Sequence, residues 1–209
     1  MSKREQQKLQ RRKNIIQCAK ELFLEQGVQT VQMKDVAATA NIGIATLFRY
    51  FPKKEYLVIA TTNAITEEMA MDVGQIVEQT MTAYEKIERI LEYYIDIAMD
   101  PQLRLANYFE SFNLYEEIAE ESPEQYFEYL SARKKLAAVL LTLAEQGKQD
   151  HSLRTDVNLD TFIITMVQNF SLFTFKSSLT KHDANLSTLL SAPKQLEMMK
   201  DVFLSYIQP

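Results

Sequence analysis

The side chains best suited to contact another molecule lie in one short segment, residues 44–50. The segment is predicted to be helical and to end before Pro52, because proline disfavours a helical backbone at Phe51. At about 100° per residue, four large apolar side chains are predicted to share one arc: Leu47, Phe51, Ile44 and Phe48. The remaining arc carries Ala45, Thr46, Arg49 and Tyr50. The segment therefore has one side to bury and one side to present.

The presented side chains are small, polar or basic, and they suit the major groove of duplex DNA. Arg49 can form two hydrogen bonds with guanine, and Thr46 can hydrogen-bond to a base or touch a thymine methyl group. Ala45 can pack on such a methyl group, and the Tyr50 hydroxyl can reach a phosphate. An ordinary amphipathic helix with a solvated face explains the same pattern. The arc alone leaves both interpretations open.

Two further helices are predicted to hold residues 44–50 against a small core. The first covers residues 7–26, with apolar side chains at helical spacing and Gly27 as its C-terminal cap. The second covers residues 33–40, and residues 41–43 form the turn that follows it. A small helix displayed in this way is the kind of element that enters a major groove.

The rest of the chain is predicted to be helical as well. Its 209 residues include only four glycines and five prolines, so signals for strands and turns are scarce. A helix from about residue 54 joins the three-helix head to a body. Further helices are predicted near residues 84–99, 102–118, 124–147, 159–179 and 193–207. The predicted fold class is all-α, with a helix-turn-helix head at residues 1–57 and a larger helical body at residues 58–209.

Charge separates the same two regions. Residues 1–57 hold eleven Lys and Arg against five Asp and Glu, a net of +6, whereas residues 58–209 carry a net of −11. A basic head on an acidic body suggests that the head meets a polyanion. Six of its cations precede residue 14: Lys3, Arg4, Lys8, Arg11, Arg12 and Lys13. This basic arm either adds phosphate or minor-groove contacts or is a solvated tail.

Several stretches of the head, taken in order, resemble the DNA-binding domain of TetR-family (tetracycline-repressor-like) regulators. These stretches are residues 19–23, Gly27, residues 36–42 and residues 46–57. They keep the order and spacing of many family positions over about 50 residues. The body resembles the family only in its length and helical character.

The resemblance implies a homodimer whose two heads read a palindromic operator and whose body binds a small effector. Carried over by position, Gln32 and Lys54 contact phosphates at helix starts, where free N–H groups and the helix dipole attract anions. The residues implied at base edges are Ile44, Ala45, Thr46 and Arg49, with Tyr50 on the DNA backbone.

Four positions depart from the family pattern. The family usually has Thr or Ser at Gln32, Gly-Val-Ser at residues 41–43, Tyr at Phe48, and Ser, Asp or Asn at Lys53. Each change removes a preferred cap or a hydroxyl. Lys53 restores charge near a phosphate, and Gly43 leaves its backbone N–H free to approach DNA, so both belong to the predicted DNA-binding surface.

Aromatic side chains recur at helical spacing in the middle of the body. Ordinary core packing explains each one singly, whereas the group could line an apolar cavity for a small lipophilic or aromatic molecule. The predicted ligand-binding residues are Tyr94, Arg104, Tyr108, Phe109, Phe112, Tyr115 and Tyr126. Arg104 could orient a polar end of the ligand. The acidic body argues mildly against a strongly anionic effector.

Residues 162–175 are apolar almost all round, so a helix here must be buried. Together with the apolar side of the last helix it could form an isologous four-helix dimer interface, and the family resemblance places the dimer there. The predicted interface therefore lies in the helices near residues 159–179 and 193–207. A helix buried inside a single chain is the alternative.

Nothing in the sequence suggests an enzyme, a metal or a cofactor. The two histidines, His151 and His182, lie outside any metal-binding or catalytic spacing, and no glycine-rich phosphate loop occurs. A single cysteine and the lack of a recognisable signal peptide favour the cytoplasm. The predicted function is a repressor released by an effector. The alternatives are an activator or constitutive regulator, or a helical ligand-binding module that has lost DNA binding.

Overall fold

The structure is a computed structural model that describes residues 2–100, 102, 104–112, 123–176 and 192–209. The side chains at 110, 123–126, 129, 175, 176 and 192 are not among those described. The described residues form nine α-helices and no strand, which confirms the all-α fold class. The helices are α1 (Lys3–Gln26), α2 (Met33–Thr39), α3 (Ile44–Tyr50), α4 (Lys54–Val77), α5 (Ala83–Ala98), α6 (Arg104–Phe112), α7 (Pro123–Gln149), α8 (Leu159–Lys176) and α9 (Ala192–Ile207).

The predicted start of the first helix at residue 7 is wrong by one turn. The Glu5 carboxylate accepts a hydrogen bond from the Ser2 backbone N–H at 2.6 Å, and the Glu5 N–H donates to Ser2 Oγ at 3.3 Å. This reciprocal pair is a capping box, which satisfies backbone donors that a helix start leaves free. It extends α1 to Lys3, and the basic arm is therefore part of a helix.

Packing divides the chain into two compact units. The first unit contains residues 1–66 and 107–132, and the second contains residues 67–106 and 133–209. The divisions fall inside α4, α6 and α7. The functional boundary after residue 57 stays a prediction.

The core of the first unit is built where α1, α2 and α3 meet. Ile15, Ala19 and Phe23 of α1 are all at most 1% exposed, as is Leu47 of α3. Gly27 ends α1 with a φ of 84°, a left-handed conformation that glycine adopts without strain, and its N–H donates to the Phe23 carbonyl at 3.0 Å. The predicted cap is confirmed.

The second unit is built on α5, which packs against α8 and α9. α5 contributes a buried stripe that includes Ile87, Leu91 and Tyr94, all fully enclosed. Asp150, which follows α7, accepts a hydrogen bond from the Ala83 N–H at 2.8 Å and so fixes the start of α5. The acidic side chain at a helix N-terminus also suits the helix dipole.

Candidate nucleic-acid interface

α3 is held on the first unit by two side chains and by the turn that precedes the helix. Leu47 is fully buried. Phe51, the C-cap residue of α3, is 1% exposed. The preceding turn reverses at Asn41, whose φ is 52°, and the Ile42 N–H donates to the Ala37 carbonyl at 3.0 Å. Phe51 has an extended backbone, as its position before Pro52 predicts. The helix is thus held along one side, and other parts of its surface are exposed.

The presented side of α3 is wider and more apolar than its sequence predicts. Ala45 and Arg49 are exposed, as predicted, and Thr46 and Tyr50 are half-buried. Ile44 and Phe48, however, are 43% and 45% exposed, so their assignment to the buried arc is wrong. A seven-residue helix contacts the core along little more than one row of side chains, and Leu47 with Phe51 already fills that contact. Ile44 and Phe48 are left on the outer surface beside Arg49.

Gly43 is the N-cap of α3, with an extended backbone. A methyl group added at this position would meet no atom of the chain within 4 Å. Packing inside the first unit therefore does not require glycine here. The residue leaves open space where another molecule can approach the backbone.

The predicted phosphate contacts lie at the starts of α2 and α4. The Gln32 side chain is exposed, but its backbone N–H already donates to the Asp35 carboxylate at 2.8 Å. Lys53 is exposed, with Nζ 5.8 Å from the centre of the Tyr56 ring. Burial lowers the pKa of Lys54, while the negative charge of Glu55 acts in the opposite direction. A partly desolvated ammonium group such as that of Lys54 gains from a nearby anion.

The contacts of Arg12 are not predictable from the sequence. Its guanidinium group lies 5.3 Å from the centre of the Phe51 ring, and its Nη2 pairs with the Glu128 carboxylate at 2.9 Å. The first contact places α1 beside the end of α3, and the second joins α1 to the part of α7 in the first unit. No sequence signal indicates a pair whose members are 116 residues apart.

The predicted ligand-binding residues are distributed between the two units. In the first, Tyr108 and Phe112 are buried, and Phe109 packs edge-on against Tyr108 with ring centres 5.6 Å apart. In the second, Tyr94 is fully buried, and exposed Arg104 pairs with Asp100 at 3.1 Å. Tyr115 and the side chain of Tyr126 lie outside the described residues. Whether these side chains bind a ligand stays a prediction.

Tyr108 is the centre of a buried polar cluster in the first unit. Its hydroxyl donates to the Val58 carbonyl at 3.0 Å and lies 2.9 Å from Thr62 Oγ1. Burial raises the pKa of the Tyr108 hydroxyl, so the group stays neutral. The next residue along α4, Asn63, is 8% exposed, and its amide has no hydrogen-bond partner among the described residues. Buried amides are rarely left unpaired, because each lost hydrogen bond costs about 1–3 kcal/mol.

Described residues of the second unit line two cavities, and neither cavity is lined by the predicted ligand-binding residues. One, of about 240 Å³, is lined by Asp72, Gln75, Ile76, Gln79, Arg89, Tyr93 and Asp96. The other, of about 340 Å³, is lined by Leu141, Asp160, Thr161, Ile164 and Thr165. The described part of the chain contains no cluster of three or more His, Cys, Asp or Glu able to hold a metal ion. Among the same residues, no helix is long and apolar enough to cross a membrane.

A three-helix head that exposes one side of its last helix is the architecture of a helix-turn-helix DNA-binding protein. The family model for bacterial regulatory proteins of the tetR family matches residues 15–73, which include the second half of α1, all of α2 and α3, and most of α4. The predicted resemblance of the N-terminal region to TetR-family regulators is therefore confirmed.

One relative matches less than half of the chain. The transcriptional regulator LuxR of Vibrio harveyi is 27% identical over 89 residues. These residues make up 43% of this chain, and the chain spans only 43% of the length of LuxR.

Two solved structures match nearly the whole chain. FadR of Bacillus subtilis, in complex with stearoyl-CoA, has a TM-score of 0.65 and 16% identity, covering 92% of this chain and 97% of FadR. A transcriptional regulator from Saccharomonospora viridis, in complex with choline, has a TM-score of 0.70 and 16% identity, covering 95% and 97%. At these identities the likeness establishes the fold.

Proposed function

We propose that the protein is a cytoplasmic transcriptional repressor that binds a palindromic operator as a homodimer and leaves it when a small molecule binds. One observation carries the proposal. α3 is pinned by Leu47 and Phe51 and presents an exposed surface that includes Ala45 and Arg49, on a region with a net charge of +6. A helix with an exposed surface on a basic region of this kind fits a major groove.

In the proposed complex, the surface of α3 divides into base-reading and backbone-binding parts. Arg49 pairs with guanine, and Thr46 and Ala45 contact neighbouring base edges. Ile44 and Phe48 add apolar contacts, because both are exposed beside Arg49. The phosphates are bound by the side chains of Gln32, Tyr50, Lys53 and Lys54 and by the Gly43 N–H. Since Asp35 occupies the Gln32 backbone N–H, Gln32 contributes through its side-chain amide.

The proposed dimer uses the uncovered apolar surface of α8 and α9. Met198, Val202 and Tyr206 of α9 follow a four-residue spacing and are 67%, 62% and 47% exposed. Leu172 of α8 is 57% exposed, although Ile163, Met166 and Phe170 of the same helix are buried. An identical surface on a second copy would cover these side chains, as an isologous interface requires. Two joined heads would then read the two halves of a palindrome.

The proposed effector is a small lipophilic or aromatic molecule with at least one polar group. The aromatic residues among the predicted ligand-binding residues support an effector that is largely apolar. The buried amide of Asn63 in the first unit has no hydrogen-bond partner among the described residues, and it supports a polar group on the effector. A bound hydrogen-bonding group would remove the cost of leaving this amide unpaired. The two structural relatives that bind stearoyl-CoA and choline support a small-molecule effector in general.

The proposal is tested by selecting duplexes from a randomised DNA pool with the purified full-length protein. A palindromic motif is expected, and its affinity should fall when an effector from a library of lipophilic and aromatic compounds is added. A selected motif whose binding no compound alters would favour a constitutive regulator. Activation of a reporter placed behind the motif would favour an activator, and failure to enrich any motif at modest salt would reject DNA-binding regulation.

A further inference from the structure

We infer that the first eleven residues of α1, residues 3–13, form a rigid basic overhang that binds the DNA phosphates flanking each half-site. The inference rests on the proposed DNA binding and extends it to a surface outside the helix-turn-helix. Three observations support the inference. The segment is helical, its cations continue the buried side of α1, and most of these cations have no carboxylate partner among the described residues.

The overhang is an ordered helix. The Ser2–Glu5 capping box fixes its start, and hydrogen bonds continue without a break to Gln26. At about 1.5 Å per residue, residues 3–13 extend for about 16 Å. A preformed helix of this kind loses less conformational entropy on binding than a solvated tail would.

The overhang continues the side of α1 that packs on the first unit. Measured from Arg4 at about 100° per residue, Lys8 lies near 40° and Arg12 near 80°. The buried side chains Ile15 and Ala19 lie near 20° and 60° on the same scale. One stripe is therefore apolar where α1 covers the core and basic where the helix runs beyond it. The basic part of this stripe can therefore contact a molecule that lies against the end of the first unit.

Arg12 fixes where the overhang leaves the unit. Its guanidinium group lies against the ring of Phe51, the residue that ends α3, and Lys53 and Lys54 follow directly in the chain. The overhang therefore starts beside the end of α3 and next to two proposed phosphate ligands. A length of about 16 Å corresponds to about four or five nucleotides of one strand, at about 3.4 Å each.

The charges of the overhang are unpaired, with one exception. Arg12 pairs with Glu128 at 2.9 Å. In the part of the chain that the structure describes, the other five cations of residues 3–13 have no carboxylate partner: Lys3, Arg4, Lys8, Arg11 and Lys13. Glu5, the acidic residue of the segment, is occupied by Ser2. Five cations on three turns of helix, without internal compensation, suit a phosphate backbone better than an apolar partner.

The test compares two double variants that remove the same charge. Arg4→Gln/Lys8→Gln alters the overhang, and Lys134→Gln/Lys148→Gln alters exposed positions of α7. Glutamine keeps the helix propensity close to that of Lys and Arg. Binding to a 40-base-pair duplex of random sequence is measured by fluorescence anisotropy over a range of salt concentrations. The overhang variant is expected to lower the slope of log K against log salt by about two units for each bound protomer.

A second measurement localises the contact. Duplexes carrying the selected motif are compared with and without five further base pairs on each side. The wild-type protein and the α7 variant should bind the longer duplex more tightly, whereas the overhang variant should gain less than either. An unchanged slope, an equal change in both variants, or an equal gain from the flanks in all three proteins would overturn the inference. Failure of the wild-type protein to select any motif would instead reject the proposed function, and the random-sequence slope would still decide the overhang.

Discussion

α3 and α9 both leave large apolar side chains exposed, but their neighbours differ. On α3, Ile44 and Phe48 are 43% and 45% exposed and share the surface with Arg49. On α9, Met198, Val202 and Tyr206 form a stripe that is 47% to 67% exposed. The α3 surface therefore combines positive charge with apolar groups, as duplex DNA with its phosphates and thymine methyl groups requires. The α9 stripe offers apolar area in a row, as a second protein surface requires.

The comparison shows why exposure alone does not identify a partner. Single exposed apolar residues are common on protein surfaces and need no special explanation. What distinguishes α3 is the short helix, which brings only one row of side chains into the core. What distinguishes α9 is repetition at a four-residue spacing, which aligns three exposed side chains on one side of a long helix.

The largest effect is expected from a charged substitution in the exposed apolar stripe of α9. Met198→Glu places a carboxylate in the proposed dimer interface, where an unpaired buried charge costs several kcal/mol. The dimer dissociation constant should rise by at least about a hundredfold. Light scattering after size exclusion should show a monomer at micromolar concentration, and operator affinity should fall with the loss of the dimer.

Met71→Glu is the matched control, because Met71 is another exposed methionine, at 59%, and lies on α4. This variant should remain dimeric. A dimeric Met198→Glu protein would show that α9 is not the interface, and two monomeric variants would show that the added charge acts without regard to position.

The next largest effect concerns the polar half of the α3 surface. Arg49→Ala should remove a bidentate contact with guanine and cost about 1–3 kcal/mol of discrimination between the preferred and a substituted base. Competition binding with duplexes that vary at one position measures this loss. If all sequences weaken equally, Arg49 contacts a phosphate and the base reading on α3 has been misassigned.

The sequence predicts the positions of helices well where local signals act. α3 covers residues 44–50 as predicted, because Pro52 sets its end, and Gly27 ends α1 because a left-handed backbone suits glycine. Apolar periodicity predicts too late a start for α1, because this periodicity begins only at Ile15, although Ser2 and Glu5 have capping-box spacing.

Side-chain exposure and long-range contacts are harder to predict from the sequence. The angular spacing predicts that Ile44 and Phe48 are buried only if the core covers a wide sector of the helix. The contacts of Arg12 with Phe51 and Glu128 join residues 39 and 116 positions apart, and only the folded chain brings them together. The same limit applies to the buried Asn63 amide, because its surroundings depend on packing and not on its neighbours in the sequence.

A smaller effect should reveal the apolar half of the α3 surface. If Ile44 or Phe48 packs on a thymine methyl group, replacing that thymine by uracil removes one buried methyl group. The loss is about 0.8 kcal/mol, or roughly fourfold in affinity. The wild-type protein should lose affinity at one or two positions of each half-site, and Ile44→Ala or Phe48→Ala should be insensitive at the position it reads. Uniform insensitivity of the wild-type protein would show that these side chains do not touch thymine.

The smallest effect concerns the edge of the reading surface, where α4 begins. Lys54→Ala should lower the salt slope of binding by about one unit for each protomer, which is about a twofold difference in affinity between 0.1 and 0.2 M salt. The change should be the same for specific and random duplexes, because a phosphate contact carries no sequence information. Lys134→Ala, which removes the same charge from α7, should leave the slope unchanged. A Lys54 variant that loses discrimination between bases, with its salt slope intact, would move Lys54 from the backbone-binding part of the surface to the base-reading part. The base-reading part of the surface would then include the start of α4, and the phosphate-binding part would begin beyond it.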